Sequence, residues 1–201
     1  MGTGSITVTA TGTVQQYPAQ GLIYLYVNGT GNTEQIANDN LSLTLEILNS
    51  SILKYIGGNL SNIVTQNYYM NKVKNSSEYQ VVEYLQITVT NVKNMSTALS
   101  TISKINNTYV TGAYAQLSAQ QITNMRTNAL SQALSNATNQ AETLENNASV
   151  KVENITIGQP HFPVFIAAET SSASSRAQSG QIFYSGEQSL TETITATFIK
   201  S

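Results

Sequence analysis

A chain of 201 residues with 9 Lys and Arg against 11 Asp and Glu, net charge −2, carries charge on only 10% of its side chains, well below the roughly 25% of an ordinary soluble protein. The cations are scattered singly and make no basic stripe for a phosphate backbone; no cysteine offers a disulfide or a thiolate ligand; no run of about 18 apolar residues offers a membrane span. Nucleic acid, a disulfide frame and a spanning helix are therefore not expected, and Asn, Gln, Ser and Thr must keep the surface wet.

Residues 6–14 alternate, with Ile6, Val8, Ala10 and Val14 on one side and Thr7, Thr9, Thr11 and Thr13 on the other, the pattern of a half-buried strand. Pro18 ends it, and residues 22–27, apolar on both faces, read as a more central strand. Asn32 with Gln35 suggests a capped start and Gly57-Gly58 a stop, framing a helix over 33–56. Its core stripe is Ala37, Leu41, Leu45, Leu48, Ile52, Tyr55 and Ile56, while Ile36, Leu43 and Ile47 form a second line that another element or subunit must cover.

Residues 62–73 and 78–91 read as a hairpin joined at 74–77, with Tyr79, Val81, Leu85, Ile87 and Val89 on the buried side. A short helix follows, capped by Asn94 or Ser96 and running to Ile105, then a strand over 109–117. The longest helix spans 119–145, with Ile122, Arg126, Ala129, Ala133, Ala137, Ala141 and Leu144 along one stripe. Strands over 150–157 and 190–199 close an α+β order, ββαββαβαββ: antiparallel-rich sheet packed against two long helices and one short one. Residues 159–188 read as a long, partly flexible loop, apolar at 162–166 and Ser/Ala-rich at 171–180.

Ten N-x-Ser/Thr sequons begin at Asn28, Asn40, Asn49, Asn59, Asn75, Asn94, Asn106, Asn136, Asn147 and Asn154. Such tripeptides matter only on exposed backbone in a secretory setting; Asn28, Asn59, Asn75, Asn94 and Asn106 are expected at turns or helix ends, and Asn49, Asn147 and Asn154 complete the glycosylation candidates. Met1 to Gly4 reads as an engineered or processed beginning, 1–201 as one domain, and the whole as extracellular or cell-surface. With Asp39 the sole aspartate beside ten glutamates, few ion pairs would be lost below about pH 4, which points to an acid-facing surface such as that of an acidophilic archaeon.

The opening Ile6-Thr7-Val8-Thr9-Ala10-Thr11-Gly12-Thr13-Val14, the strand over 22–31, the long helix with its Ala-x-x-x-Ala repeats over 126–144 and the closing threonine-alternating strand together resemble the SIMPL domain family. The likeness covers essentially the whole chain in element order. It implies a secreted, periplasmic or surface-anchored α+β protein, often a homo-oligomer, from a family without an established enzymatic activity whose members are linked to ring or channel-like assemblies and to stress phenotypes. This chain departs from the family in the poverty of charge on its helices, and the family supplies no catalytic motif to carry over.

No catalytic, cofactor or metal residue is expected. His161 stands alone between Pro160 and Phe162, short of the three or four ligands zinc needs. Glu78 with Glu83, or Glu142 with Glu145, reads better as solvated strand-edge and helix-face residues than as a glycosidase pair. Gly29-Thr30-Gly31 lacks the lysine of a phosphate loop. The expected function is non-enzymatic self-association at the envelope, with Ile36, Leu43, Ile47, Phe162, Val164, Phe165, Ile166, Ile182, Phe183 and Tyr184 as contacts. The alternative is a monomeric module that binds surface polysaccharide or a small ligand through a tyrosine-bearing sheet face; envelope proteins are a further class of partner.

Overall fold

The computed structural model describes residues 4–146, 148–159, 164–165 and 186–200, the pair 164–165 by backbone alone. Among them the order is β1 (Ser5–Gln16), β2 (Gln20–Gly31), α1 (Glu34–Ile52), β3 (Ile63–Lys72), β4 (Tyr79–Val89), α2 (Met95–Ile102), β5 (Thr108–Gln116), α3 (Ala119–Leu144), β6 (Val150–Ile157), β7 (Val164–Phe165) and β8 (Gln188–Lys200). The fold is α+β with two antiparallel sheets, as the residue pattern implies; the two-residue β7, paired with Gln188 and Ser189, is an addition to the expected order. The described residues divide into two compact units, one formed by residues 18–116 and the other by those up to Tyr17 together with those from Leu117 onward.

In the unit of residues 18–116 the order βαββαβ and the sheet order β3-β4-β2-β5 make a split βαβ arrangement. Both helices pack on one face: Ile23, Leu25 and Val27 of β2 and Val81, Leu85, Ile87 and Val89 of β4 share a core with Ala37, Leu41, Leu48 and Ile52 of α1 and Met95, Ala98 and Ile102 of α2. Full burial of each large aliphatic there is worth about 1.5–3 kcal/mol. The hairpin turns at Asn75, whose φ of 62° is the left-handed region that asparagine tolerates.

Three helix boundaries differ from the expected ones: α2, with Asn94 at its N-cap position, ends at Ile102 and not at Ile105, and both ends of α1 shift. Thr33, not Asn32, caps α1, its hydroxyl accepting from Ile36 N–H at 3.2 Å. The helix stops at Ile52, and the chain turns through Gly57 and Gly58 at φ 68° and 72°. Tyr55 and Ile56 are buried all the same, because the turn folds them back into the core.

In the other unit α3 lies on the face of β1-β8-β6. Ser118 and Gln121 cap α3 reciprocally, side chain to backbone in both directions. Ala129, Ala133, Ala137 and Ala141 are fully buried, as the stripe predicts, the last three against Val8, Ala10, Ile194, Ala196 and Phe198 and Ala129 against Leu117 and Leu190. Leu144, placed on that stripe, is exposed, and Met125, absent from it, is buried with Leu117 and Leu190. On the opposite face threonines pair across β1 and β8: Thr7 with Thr197, Thr9 with Thr195 and Thr13 with Thr191, at 2.9–3.2 Å. Such β-branched cross-strand pairs stabilise a sheet without charge.

β1 is paired only with β8 among the described strands. Its free side is partly satisfied from α3: Gln132 Oε1 accepts from Thr13 N–H at 2.8 Å, and Asn136 Nδ2 donates to Thr11 C=O at 2.8 Å. A long edge is thereby blunted by neutral amides where many proteins use charge.

Candidate functional site

Alternation along a strand sends every second side chain away from the helices. In the sheet β3-β4-β2-β5 this places one tyrosine per strand in a row: Tyr69, Tyr84, Tyr26 and Tyr109. Ring centroids lie 6.0 Å apart for Tyr69–Tyr84, 5.6 Å for Tyr84–Tyr26 and 4.8 Å for Tyr26–Tyr109, the last pair stacked within 19°. Beside the row Tyr24 and Tyr114 stack at 5.7 Å. Aromatic contacts of this kind add about 0.5–1.5 kcal/mol each beyond area burial. Tyr68 and Tyr79, also on strands, belong to the other side: Tyr68 donates to Asn38 Oδ1 of α1 at 2.7 Å, and Tyr79 packs against the helix-covered core.

The phenols also bond one another, Tyr114 donating to Tyr24 at 3.1 Å and Tyr69 meeting Tyr84 at 3.4 Å. Burial first, and then the bond to Tyr24, pushes the Tyr114 hydroxyl up to about 12. The bond to Tyr84 is the chief reason that Tyr69 is raised as well. The folded chain thus holds these protons longer than the unfolded chain, which releases them near 10.0. Stability is complete below that pH and falls as pH rises towards about 12. An ultraviolet titration of phenolate is expected to show a late step that Tyr114→Phe removes; a single ordinary transition for every tyrosine would refute it.

On the helix side of the same unit, Ile36, Leu43 and Ile47 of α1 are 42%, 57% and 46% exposed. Leu43 and Ile47 border a surface groove of ≈ 440 Å³ lined also by Thr44, Ser51, Thr101, Lys104, Ile105 and Asn106. The second line of the α1 pattern is therefore uncovered within this unit. Of the other contact candidates, Val164 and Phe165 form β7 by backbone, whereas Phe162, Ile166, Ile182, Phe183 and Tyr184 lie outside the described residues, as does His161.

Glu83 lies on the helix-facing side of β4 and accepts from the Thr65 hydroxyl at 2.6 Å, while Glu78 precedes that strand in the exposed hairpin turn. Glu145, past the end of α3, is 3.6 Å from Lys200. Among the described residues no three or more His, Cys, Asp and Glu cluster as a metal site, and no helix is long and apolar enough to cross a membrane.

A family model described as "SIMPL: Protein of unknown function (DUF541)" matches residues 6–198. The chain belongs to the SIMPL family. No curated protein matches it.

The sequons of this SIMPL chain fall into distinct settings. Asn59, Asn75 and Asn106 are exposed outside the long elements, with Asn59 Oδ1 accepting from Ser61 N–H at 3.0 Å. Asn154 is exposed on β6, Asn49 is half-buried on α1, and Asn94 is half-buried at the start of α2; Asn147 lies outside the described residues. Asn28, expected at a turn, is inside β2 opposite Val82, because the strand runs on to Gly31; its Oδ1 is buried without a partner. Asn40 and Asn136 each use the side-chain nitrogen to bind a strand carbonyl, Asn40 that of Thr30 at 2.7 Å and Asn136 that of Thr11 at 2.8 Å. These two amides tie helix to strand in their respective units.

Proposed function

We propose that this SIMPL protein is a non-enzymatic extracellular module that works by self-association, with the apolar line of α1 as the surface where copies meet. The uncovered Ile36, Leu43 and Ile47 beside the groove carry the reading. Single exposed aliphatics are ordinary, but three on one line, with two bordering a concave surface, favour a partner over water. The groove contributes a single cation, Lys104, so the contact relies on apolar burial and neutral hydrogen bonds. The composition supports a secreted setting, in which Asn59, Asn75, Asn106 and Asn154 are the most accessible sequons for N-glycans.

Light scattering on the full chain is expected to give a mass above the monomer that Leu43→Glu or Ile47→Glu reduces to the monomer. Both substitutions are at the surface and should move stability by no more than about 0.5 kcal/mol. A monomeric mass for the unsubstituted chain at every concentration contradicts the proposal.

A further inference from the structure

The open face of the β3-β4-β2-β5 sheet has an unusual composition. Only Lys72 and Glu83 are charged in these four strands, and both fall on the helix side: Lys72 pairs with Tyr79, and Glu83 lies in phase with Val81 and Leu85. The open face therefore carries no formal charge. Of its aliphatics, Leu22 and Val82 are only 6% and 4% exposed, while Val64, opposite Gln86 on the edge strand β3, is 45% exposed. Apart from Val64 at that edge, what remains accessible is tyrosine, with Tyr109, Tyr114 and Tyr69 the most exposed rings, together with the amides and hydroxyls that the alternation places between them, among them Gln80, Gln86 and Thr88.

We propose that this face binds a neutral polysaccharide lying along the Tyr69–Tyr84–Tyr26–Tyr109 row. A pyranoside presents apolar C–H faces with a rim of hydroxyls, and this surface presents aromatic rings with a rim of phenols, amides and hydroxyls. The match requires no charge on either partner, and the face offers none. The row crosses four strands at the ordinary spacing of about 4.8 Å, so it is about 14 Å long, room for a short stretch of a sugar chain. A second copy of the protein fits less well, because protein interfaces concentrate their energy in accessible apolar cores, and this face offers a single accessible aliphatic, Val64, at its edge. This surface is separate from the α1 line, so it stands or falls independently of self-association.

The test is native affinity electrophoresis of the full chain in gels containing mannan, β-glucan or dextran, with polygalacturonate as the anionic comparison. Retardation is expected in at least one neutral polymer. Tyr109→Ala and Tyr69→Ala, both on edge strands where truncation costs the fold least, should weaken it about tenfold, the scale of one lost aromatic contact. Leu144→Ala, at an exposed site on the other unit, should leave it unchanged. Absence of retardation in all three neutral gels overturns the proposal, as does retardation that both tyrosine variants retain. A fall in oligomer mass caused by Tyr109→Ala would make the face an interface between copies and overturn it equally.

Discussion

Arg126→Ala is expected to destabilise the protein by about 3 kcal/mol, the lower end of the cost of stripping a buried charge of its partner. Glu192 lies on the apolar side of β8 between Leu190 and Ile194, and its side chain is fully buried. Arg126 Nε is 3.0 Å from Glu192 Oε1, close enough to pair but not aligned as a hydrogen bond, and Oε2 has no donor either. The Arg126 side chain is 45% exposed, which moderates the loss. The pair itself is not a source of net stability, since its desolvation offsets the attraction. Hence Arg126→Leu with Glu192→Leu should recover most of the loss in a urea double-mutant cycle. An Arg126→Ala cost below about 1 kcal/mol, the value of a surface pair, would show that Glu192 is not held as described.

Gly12→Ala and Gly29→Ala are expected to cost more than about 3 kcal/mol each, above the usual range for an added methyl. A Cβ at Gly12 would run into Ala129 O and lie 2.6 Å from Ala133 N of α3; at Gly29 it would run into Ala37 O and lie 2.6 Å from Leu41 N of α1. Both obstacles are helix backbone, which cannot rotate aside. Gly21 gives the internal comparison: its Cβ would meet the side chain of Met95, which has torsions to spare, so Gly21→Ala should cost the least of the three. Equal midpoint losses at all three positions would contradict the close helix–strand approach.

The alternation of Ile6 to Val14 against threonine and the 3.6-residue stripe from Ala37 to Ile52 were legible in the sequence because burial imposes a period on the residues themselves. Helix ends were less legible, since Asn32 and Thr33 are both good caps and only the geometry of the first turn selects Thr33. Asn28 looked like a turn residue beside Gly29, but Gly29 is required by Ala37 and Leu41, not by a turn. The Arg126–Glu192 pair left a signal that could have been read: one acid on the apolar phase of β8 calls for a cation across from it. The tyrosine row could not be read, because it depends on the registers of β3, β4, β2 and β5, with shifts at 65–67 and 24–25. The meeting of β1 with β8, Ser5 opposite Ile199, is likewise a contact between distant parts of the chain that no local pattern encodes.

Neutral contacts hold this fold: among the described residues the ion pairs are Arg126 with Glu192, which adds no net stability, and Lys200 with Glu145, at 3.6 Å on the surface. The most direct measurement is the urea midpoint of Glu192→Gln, in which the buried carboxylate is gone, at pH 7 and at pH 3. The two midpoints should nearly coincide, because the remaining carboxylates are spread over solvated surfaces where pairs contribute little. A collapse of the midpoint at pH 3 would mean that ionised groups elsewhere sustain the structure, and the account would fail.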